Sequence, residues 1–522
     1  MTSALPYTPT VETRETRDDA WGRLGRTTFD VLVIGGGATG AGVARDAALR
    51  GLTTALVERD DFASGTSSRS SRLIHGGVRY LEHGHFHLVF EASRERRTLM
   101  RIAPHLVRPL AFTWPVYVGA RVPRWKLGAG LLLYDALALF RNVSPHRRLR
   151  APEVLIAEPA LATDGLVGGA QYYDAATDDA RLTLATAIAA ADAGAVVLNH
   201  AAVRALRHGP DGAVAGAIVH DEFGRSPIAV SARTVVNAAG PWSDTIRRLD
   251  EPAAPAGVLG TKGVHVAVPA ARVGNRGAVT LLSRIDGRVM FVLPAGDQTI
   301  IGTTDTATTS TPDQVRATEA DIDYLLTSVN GCFPRAALQR ADVISAWAGI
   351  RPLIAASAPV DPGSVSREHA IERSPSGVIS VSGGKLTTYR SMAAETVDVV
   401  EQALGRVPTP SRTDVLPLPG GDRMAAVWAL AEDDPNLTIP LSPGLPYTGA
   451  EAVYAAQSEM ACTLSDVLVR RTHVAFETRD AGRAAARVVA SILAPRLRWT
   501  EIETARQLEC YDQDAARIFG ID

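Results

Sequence analysis

The chain has 522 residues, 54 Lys and Arg against 56 Asp and Glu, a formal net charge of −2 and a pI near 6.7. That length exceeds one simple core and predicts roughly two to four domains. The near-neutral balance argues against a generic nucleic-acid binder, and 46% apolar with 21% charged residues suits a soluble globular enzyme. Cys332, Cys462 and Cys510 are far apart and form no C-x-x-C or metal-ligand pattern, which predicts a reduced cytoplasmic protein with no zinc or iron–sulfur site. No segment reaches the ~20 apolar residues of a membrane span, and the polar N-terminus predicts no signal peptide.

Residues Met1–Thr28 mix Thr, Pro and charge without sustained periodicity, which predicts a flexible extension. Phe29–Glu58 reads as strand, glycine turn, helix and strand. Gly35, Gly37 and Gly40 form G-x-G-x-x-G: a tight turn, an open approach to the backbone for a pyrophosphate, and close packing of the helix that follows. Glu58 closes the second strand eighteen residues beyond Gly40, where a carboxylate accepts hydrogen bonds from a ribose diol. A free glutamate favours NAD or FAD over NADP.

Asp60–Gly84 is dense in hydroxyls, glycines and basic groups, and its place beyond the second strand predicts a loop on the ligand face. Phe86–Leu106 reads as an amphipathic helix. Leu127–Phe140 is nearly all apolar with basic flanks; a helix of that length is about 21 Å long, short of the ~30 Å hydrocarbon core. It is either a buried core helix or one that dips into a single leaflet. Thr183–Ala193 reads as a helix, and Ala195–Val203, Ala213–Val219 and Thr234–Val236 as strands. Val258–Val268 and Val289–Thr304 have the alternation of antiparallel strands. Ala320–Phe333 follows as a helix, and Pro359–Ser366 as a loop. Gly377–Val381, the Ser382–Lys385 turn and Thr387–Leu404 then repeat the opening strand–turn–helix, which predicts a discontinuous nucleotide fold around an inserted antiparallel domain. Arg406–Arg423 reads as a linker and the remainder as mainly helical.

Two glycine turns at strand-to-helix junctions exceed what NAD requires. One helix start takes a pyrophosphate, and a second at Gly383, Gly384 and Leu386–Thr388 suits the flavin edge that gathers negative charge on reduction. Arg79, His265, Arg351 and Lys385 sit beside turns or sheet positions, and such cations suit a phosphate or carboxylate. Spacing alone does not bring them together.

The motifs VIGGGATGAGVARDAALRGL, SGTSSRSSRLIHGGVRYLEH, YDAATDDARL, VVNAAGPW, IIGTTD, GIRPL and SGGKLTTYR recur in one order between about Phe29 and Arg390. In this the chain resembles the FAD-dependent, quinone-linked glycerol-3-phosphate dehydrogenase family. TLSDVLVRRT at Thr463–Thr472 resembles part of that family's helical cap, and Ala239 departs from a frequent threonine. The resemblance implies an α/β fold: a discontinuous Rossmann-like FAD-binding domain (29–85, 165–245 and 345–405), an inserted antiparallel-sheet substrate domain (86–164 and 246–344) and a helical cap (406–522).

The resemblance further implies non-covalent FAD. Gly35, Gly37, Gly40 and Glu58 would hold its ADP half, and Thr66, Ser67, Ser68, His75 and Gly76 would line its ribityl and ring portions. Ala238, Gly240 and Trp242 would close over the cofactor, with Gly384, Lys385, Leu386 and Thr387 at the flavin edge. Arg79 and Lys385 would bind the phosphate of glycerol 3-phosphate, and Tyr80 and Thr304 would orient its chain. His265 would take the C2 hydroxyl proton and Arg351 would stabilise the alkoxide. Also implied is a homodimer on the inner face of the cell membrane that passes electrons to quinone. The rival reading is an oxidase that uses O₂ and releases H₂O₂; its family's extra insertion is not recognised in this sequence.

Overall fold

In the computed structural model the structure describes residues 15–82, 84–354 and 368–522, without the side chain of Arg79. The loop expected over Pro359–Ser366 lies outside the described residues.

The first sheet has eight strands. Its parallel centre runs Ile379–Gly383, Ile228–Asn237, Thr28–Ile34, Thr54–Val57 and Val196–Leu198. Thr28–Ile34 is buried from Phe29 onward, so both faces need cover and the strand reads as a continuous apolar run. The helices Ala38–Leu49, Asp179–Asp192 and Tyr389–Ala403 pack together on one face, where Ala41, Ala44, Ala187 and Ala393 allow close approach. The second glycine turn therefore returns the chain to the first sheet, as its sequence predicts.

The N-terminal expectation is corrected in part. Arg17–Arg26 is a helix capped by Thr16, whose hydroxyl accepts from the Asp19 amide at 3.2 Å. It buries only Ala20 and Leu24, one turn apart, against the first sheet. The Arg17 guanidinium fastens it to the Asn199 carbonyl and to Asp221, each at 2.6 Å. Two core residues in a charged stretch leave too little periodicity to read.

The second sheet has ten strands. Val258–Pro269 lies between Ser345–Ile354 on one side and Gln298–Gly302 with Thr306–Ala307 on the other, all antiparallel. The sheet continues through Val289–Ala295, Ala278–Leu282, Val107–Tyr117 and Leu166–Thr177 to Leu73–Ile74. Three of these strands, Leu73–Ile74, Leu166–Thr177 and Ser345–Ile354, fall within segments expected in the FAD-binding domain. Leu73–Ile74 lies in a stretch expected to be loop, and which sheet a strand joins is decided by partners remote in sequence.

The apolar stretch forms the helix Arg124–Leu137. Leu127, Leu131 and Tyr134 are buried in the core of the second sheet. Trp125, Leu132, Leu139 and Phe140 face outward, Trp125 with 73% of its surface exposed. No helix among the described residues is long and apolar enough to cross a membrane.

The C-terminal region is helical, with Arg423–Asp433, Gly449–Ser458, Arg483–Leu497 and Glu501–Phe519 as its longer elements. It meets the first sheet through buried ion pairs. Asp61, three residues past Glu58, accepts from Arg470 at 2.5 Å and from Arg471 at 2.9 Å, and all three side chains are buried. Arg181 donates to both oxygens of Glu459, at 2.7 and 2.5 Å. Asp466 holds His200 beside this cluster at 3.0 Å. Asp61, His200 and Asp466 have donor atoms within 4.8 Å of one another, but the two arginines already occupy the carboxylates.

Candidate active site

The carboxyl end of Thr28–Ile34 opens into a cleft of about 430 Å³ that runs between the two sheets. At Gly35 the backbone adopts φ +108°, and a Cβ there would come 2.7 Å from the Ala238 carbonyl oxygen. A Cβ on Gly40 would overlap the Gly35 carbonyl, so Gly40 serves helix packing and does not line the cleft. Gly37 caps the helix without a side chain, and the first free amide, Ala38 N, donates to Ser67 Oγ at 3.0 Å. Glu58 accepts from Gly36 N at 2.6 Å and Asp60 N at 2.9 Å. Burial and then the neighbouring Asp60 push its carboxyl up to about 7.

The loop Thr66–Gly76 lies along the cleft and is tied down at both ends. Thr66 donates to the Ile350 carbonyl at 2.6 Å; His75 N donates to Thr387 Oγ1 at 3.1 Å, joining this loop to the second glycine turn. That turn has φ +78° at Gly383 and +81° at Gly384, followed by Lys385, Leu386 and Thr387, and all five line the cleft. Ala238, Gly240 and Trp242 line it opposite, where Trp242 donates to Asp313 at 3.0 Å. Two of the residues expected along this loop do not face the cleft. Ser68 is buried outside it, and the Gly76 amide donates to Tyr134 Oη at 2.9 Å and Asp174 at 3.2 Å.

Positive-φ glycines at two turns, a helix start against the first and an acceptor carboxylate at the second strand's end together fit FAD extended between the turns. The fit rests on the glycine turn, where Gly35 lies too close to the Ala238–Ala239 backbone for any side chain, and on the acceptor chemistry of Glu58.

Beyond the second turn lie the cationic residues. Lys385 Nζ stands 3.6 Å over the centre of the Tyr80 ring, a cation–π contact that holds both at the cleft wall. His265 sits mid-strand between Trp347 and Gly302 in register, and its ring stacks on Trp347 at 5.5 Å and 13°. Its Nε2 is 2.8 Å from Ser71 Oγ. Burial, with repulsion from Arg351 and Arg72, lowers its pKa to about 3, so the imidazole is neutral at physiological pH. Arg351 is held by Asp305 at 3.2 Å, Thr303 Oγ1 at 2.9 Å and the Thr304 carbonyl at 3.1 Å. A side chain on Gly263 would collide with that guanidinium at 2.6 Å from Cζ.

Thr304, expected to orient substrate, does not line the cleft; its hydroxyl accepts from Val264 N at 3.0 Å and pins the loop to the sheet. Its neighbours Thr303 and Asp305 face the cleft instead. The Arg79 side chain lies outside the described residues. Arg69, Ser71 and Arg288 also line the cleft and were not singled out from sequence. Ser71 lay within a hydroxyl-rich run and Arg288 within a turn. Nothing in the spacing distinguished them.

Residues 30–390 match the family described as FAD dependent oxidoreductase, and residues 411–504 match the C-terminal domain of alpha-glycerophosphate oxidase. The chain is 40% identical to glycerol-3-phosphate dehydrogenase 2 of Mycobacterium tuberculosis, over 94% of its own length and 89% of that protein's. It is 37% identical to glycerol-3-phosphate dehydrogenase of Synechocystis, over 93% and 96%. The solved glycerol-3-phosphate dehydrogenase of Bacillus halodurans, complexed with FAD, superposes with a TM-score of 0.77 at 32% identity, covering 96% of this chain and 97% of that one. On the fold, the two-turn cradle and these matches, the chain belongs to the FAD-dependent glycerol-3-phosphate dehydrogenase family.

Proposed function

We propose that the protein oxidises sn-glycerol 3-phosphate to dihydroxyacetone phosphate in glycerol catabolism and passes the electrons to membrane quinone. The observation that carries this reading is that Lys385, His265 and Arg351 line the same cleft as the glycine cradle. Bound FAD supplies the acceptor for the hydride from C2. Lys385, with Arg79, binds the phosphate dianion, and Tyr80 fixes both the lysine and the glycerol chain. Arg351, immobilised by Asp305 and Thr303, lies ready to stabilise negative charge on the C2 oxygen. His265 is the proton acceptor. Burial first, and then Arg351 and Arg72, keep its imidazole neutral and so able to take a proton.

The exposed Trp125 and Leu132 of the helix Arg124–Leu137, the exposed Phe140 just past its end, and the exposed Arg147 and Arg148 support peripheral attachment to the inner face of the cell membrane. A homodimer completes the proposed assembly. Anaerobic mixing with glycerol 3-phosphate tests the chemistry: the flavin absorbance should bleach, and a flavin that stays oxidised sinks the proposal. Reoxidation then separates the acceptors, since stoichiometric peroxide with no quinone reduction would make the protein an oxidase.

A further inference from the structure

We infer that Ser71 is the proton relay between the substrate's C2 hydroxyl and His265, an inference that rests on the function proposed above. The imidazole has one polar neighbour on its reactive edge. One ring face is covered by Trp347, and the Cδ2 side lies against Gly302, where any side chain would overlap the ring. Nδ1 is buried and finds no hydrogen-bond partner among the described residues. Nε2 is in contact with Ser71 Oγ at 2.8 Å, and Ser71 itself lines the cleft. Ser71 Oγ therefore offers a hydrogen-bonded route for a proton from the cleft to Nε2.

Ser71 is seated with unusual firmness for a loop residue. On one side Ser70 donates twice to Asp179, from its amide at 3.0 Å and from its hydroxyl at 2.7 Å. On the other, Arg72 takes a left-handed backbone at φ +55°, and its carbonyl accepts from Thr177 at 2.9 Å. Its guanidinium lies 5.0 Å over the Phe476 ring and 3.3 Å from His473 Nδ1. With both neighbours anchored, the Ser71 hydroxyl has little freedom except rotation of its hydrogen, which is the motion a relay uses.

The relay runs in the tautomer that carries the proton on Nδ1, where the Ser71 hydroxyl donates to Nε2 and its lone pairs face the cleft. As hydride leaves C2, the C2 O–H bond breaks and a new O–H bond forms on Ser71. The original Ser71 O–H bond breaks and N–H forms on Nε2. Two protons move, the serine ends as it began, and the imidazole gains one charge.

Stopped-flow reduction of the FAD-loaded enzyme by glycerol 3-phosphate, without oxygen and in H₂O–D₂O mixtures, tests this. Ser71→Ala should retain its flavin spectrum, reduce about a hundredfold more slowly and leave the substrate Kd within about threefold. Its proton inventory should be linear where the native enzyme's curves, and Ser71→Thr should restore most of the rate and the curvature. Native-like reduction by Ser71→Ala would overturn the relay while leaving the proposed function intact. A native enzyme that glycerol 3-phosphate fails to reduce would overturn the function itself.

Discussion

Gly35→Ala puts the cofactor cradle to a quantitative test. The substitution forces a non-glycine residue to φ +108° and sets a methyl group 2.7 Å from the Ala238 carbonyl oxygen and 2.9 Å from Ala239 Cα. A sparsely populated backbone conformation costs about 1–3 kcal/mol, and overpacking costs about as much again unless the neighbours retreat. Ala238 and Ala239 can retreat only by moving away from the strand Thr28–Ile34, which opens the wall that faces the cofactor. If about 2–4 kcal/mol is relieved in that way, FAD affinity falls by roughly 30- to 1000-fold. The measurement is titration of the deflavinated protein with FAD, followed by flavin fluorescence, beside a thermal melt of the same sample. Gly130→Ala is the control, because Gly130 lies half-buried in the helix Arg124–Leu137 and a Cβ there meets nothing within 4 Å. It should bind FAD normally and gain about 0.5–1 kcal/mol of stability. A Gly35→Ala protein that binds FAD within threefold of the native protein and melts at the same temperature would refute the argument.

Arg390 donates to both oxygens of Glu95 at 2.7 and 2.6 Å with Glu95 fully buried, so Glu95→Ala should cost ~3–5 kcal/mol. The urea midpoint would register that loss, joint replacement of both residues by Leu should recover most of it, and an unmoved midpoint for Glu95→Ala would contradict it. His265 has a folded pKa near 3 against an ordinary value of 6.5, so between these values the unfolded chain binds more protons. Its contribution is complete at pH 7 and is lost as pH falls through that window; His265→Asn should flatten the melting-temperature slope between pH 6.5 and 4, and an unaltered slope would count against it. Arg147→Ser with Arg148→Ser removes about 1 kcal/mol per charge at an anionic surface. Sedimentation with phosphatidylserine vesicles should weaken by roughly 30-fold, and equal partitioning would return the helix beside them to a purely structural role.

How much was legible depended on how local each cause was. The glycine fingerprint was readable because its pattern is short and contiguous, although only Gly40 answers to its own turn and the contact that excludes a side chain at Gly35 comes from Ala238 and Ala239. The second glycine turn was readable for the same reason. The sheet membership of Leu166–Thr177 and Ser345–Ile354 was not, since hydrogen-bond partners are chosen from segments remote in sequence. Thr304 was misassigned by adjacency: in an extended segment neighbouring side chains point opposite ways, so Thr303 and Asp305 face the cleft and Thr304 faces the sheet. Ser71 went unnoticed among several hydroxyls because its distinction, contact with a histidine 194 residues away, is wholly tertiary.

The clasp of Arg470 and Arg471 on Asp61 bears on how such a protein can be taken apart or recombined. Asp61 belongs to the nucleotide-binding unit, yet the charges that make its burial tolerable arrive more than four hundred residues later. A truncation that ends before Arg470 would strand a bare buried carboxylate three residues past Glu58. A cut in the connection near residue 406 would leave two pieces that still belong together. A terminal segment transplanted from a relative would have to bring its own arginines to this carboxylate and an acid to Arg181. The helical end of the chain is in this respect not an accessory module but the missing counterion of the first.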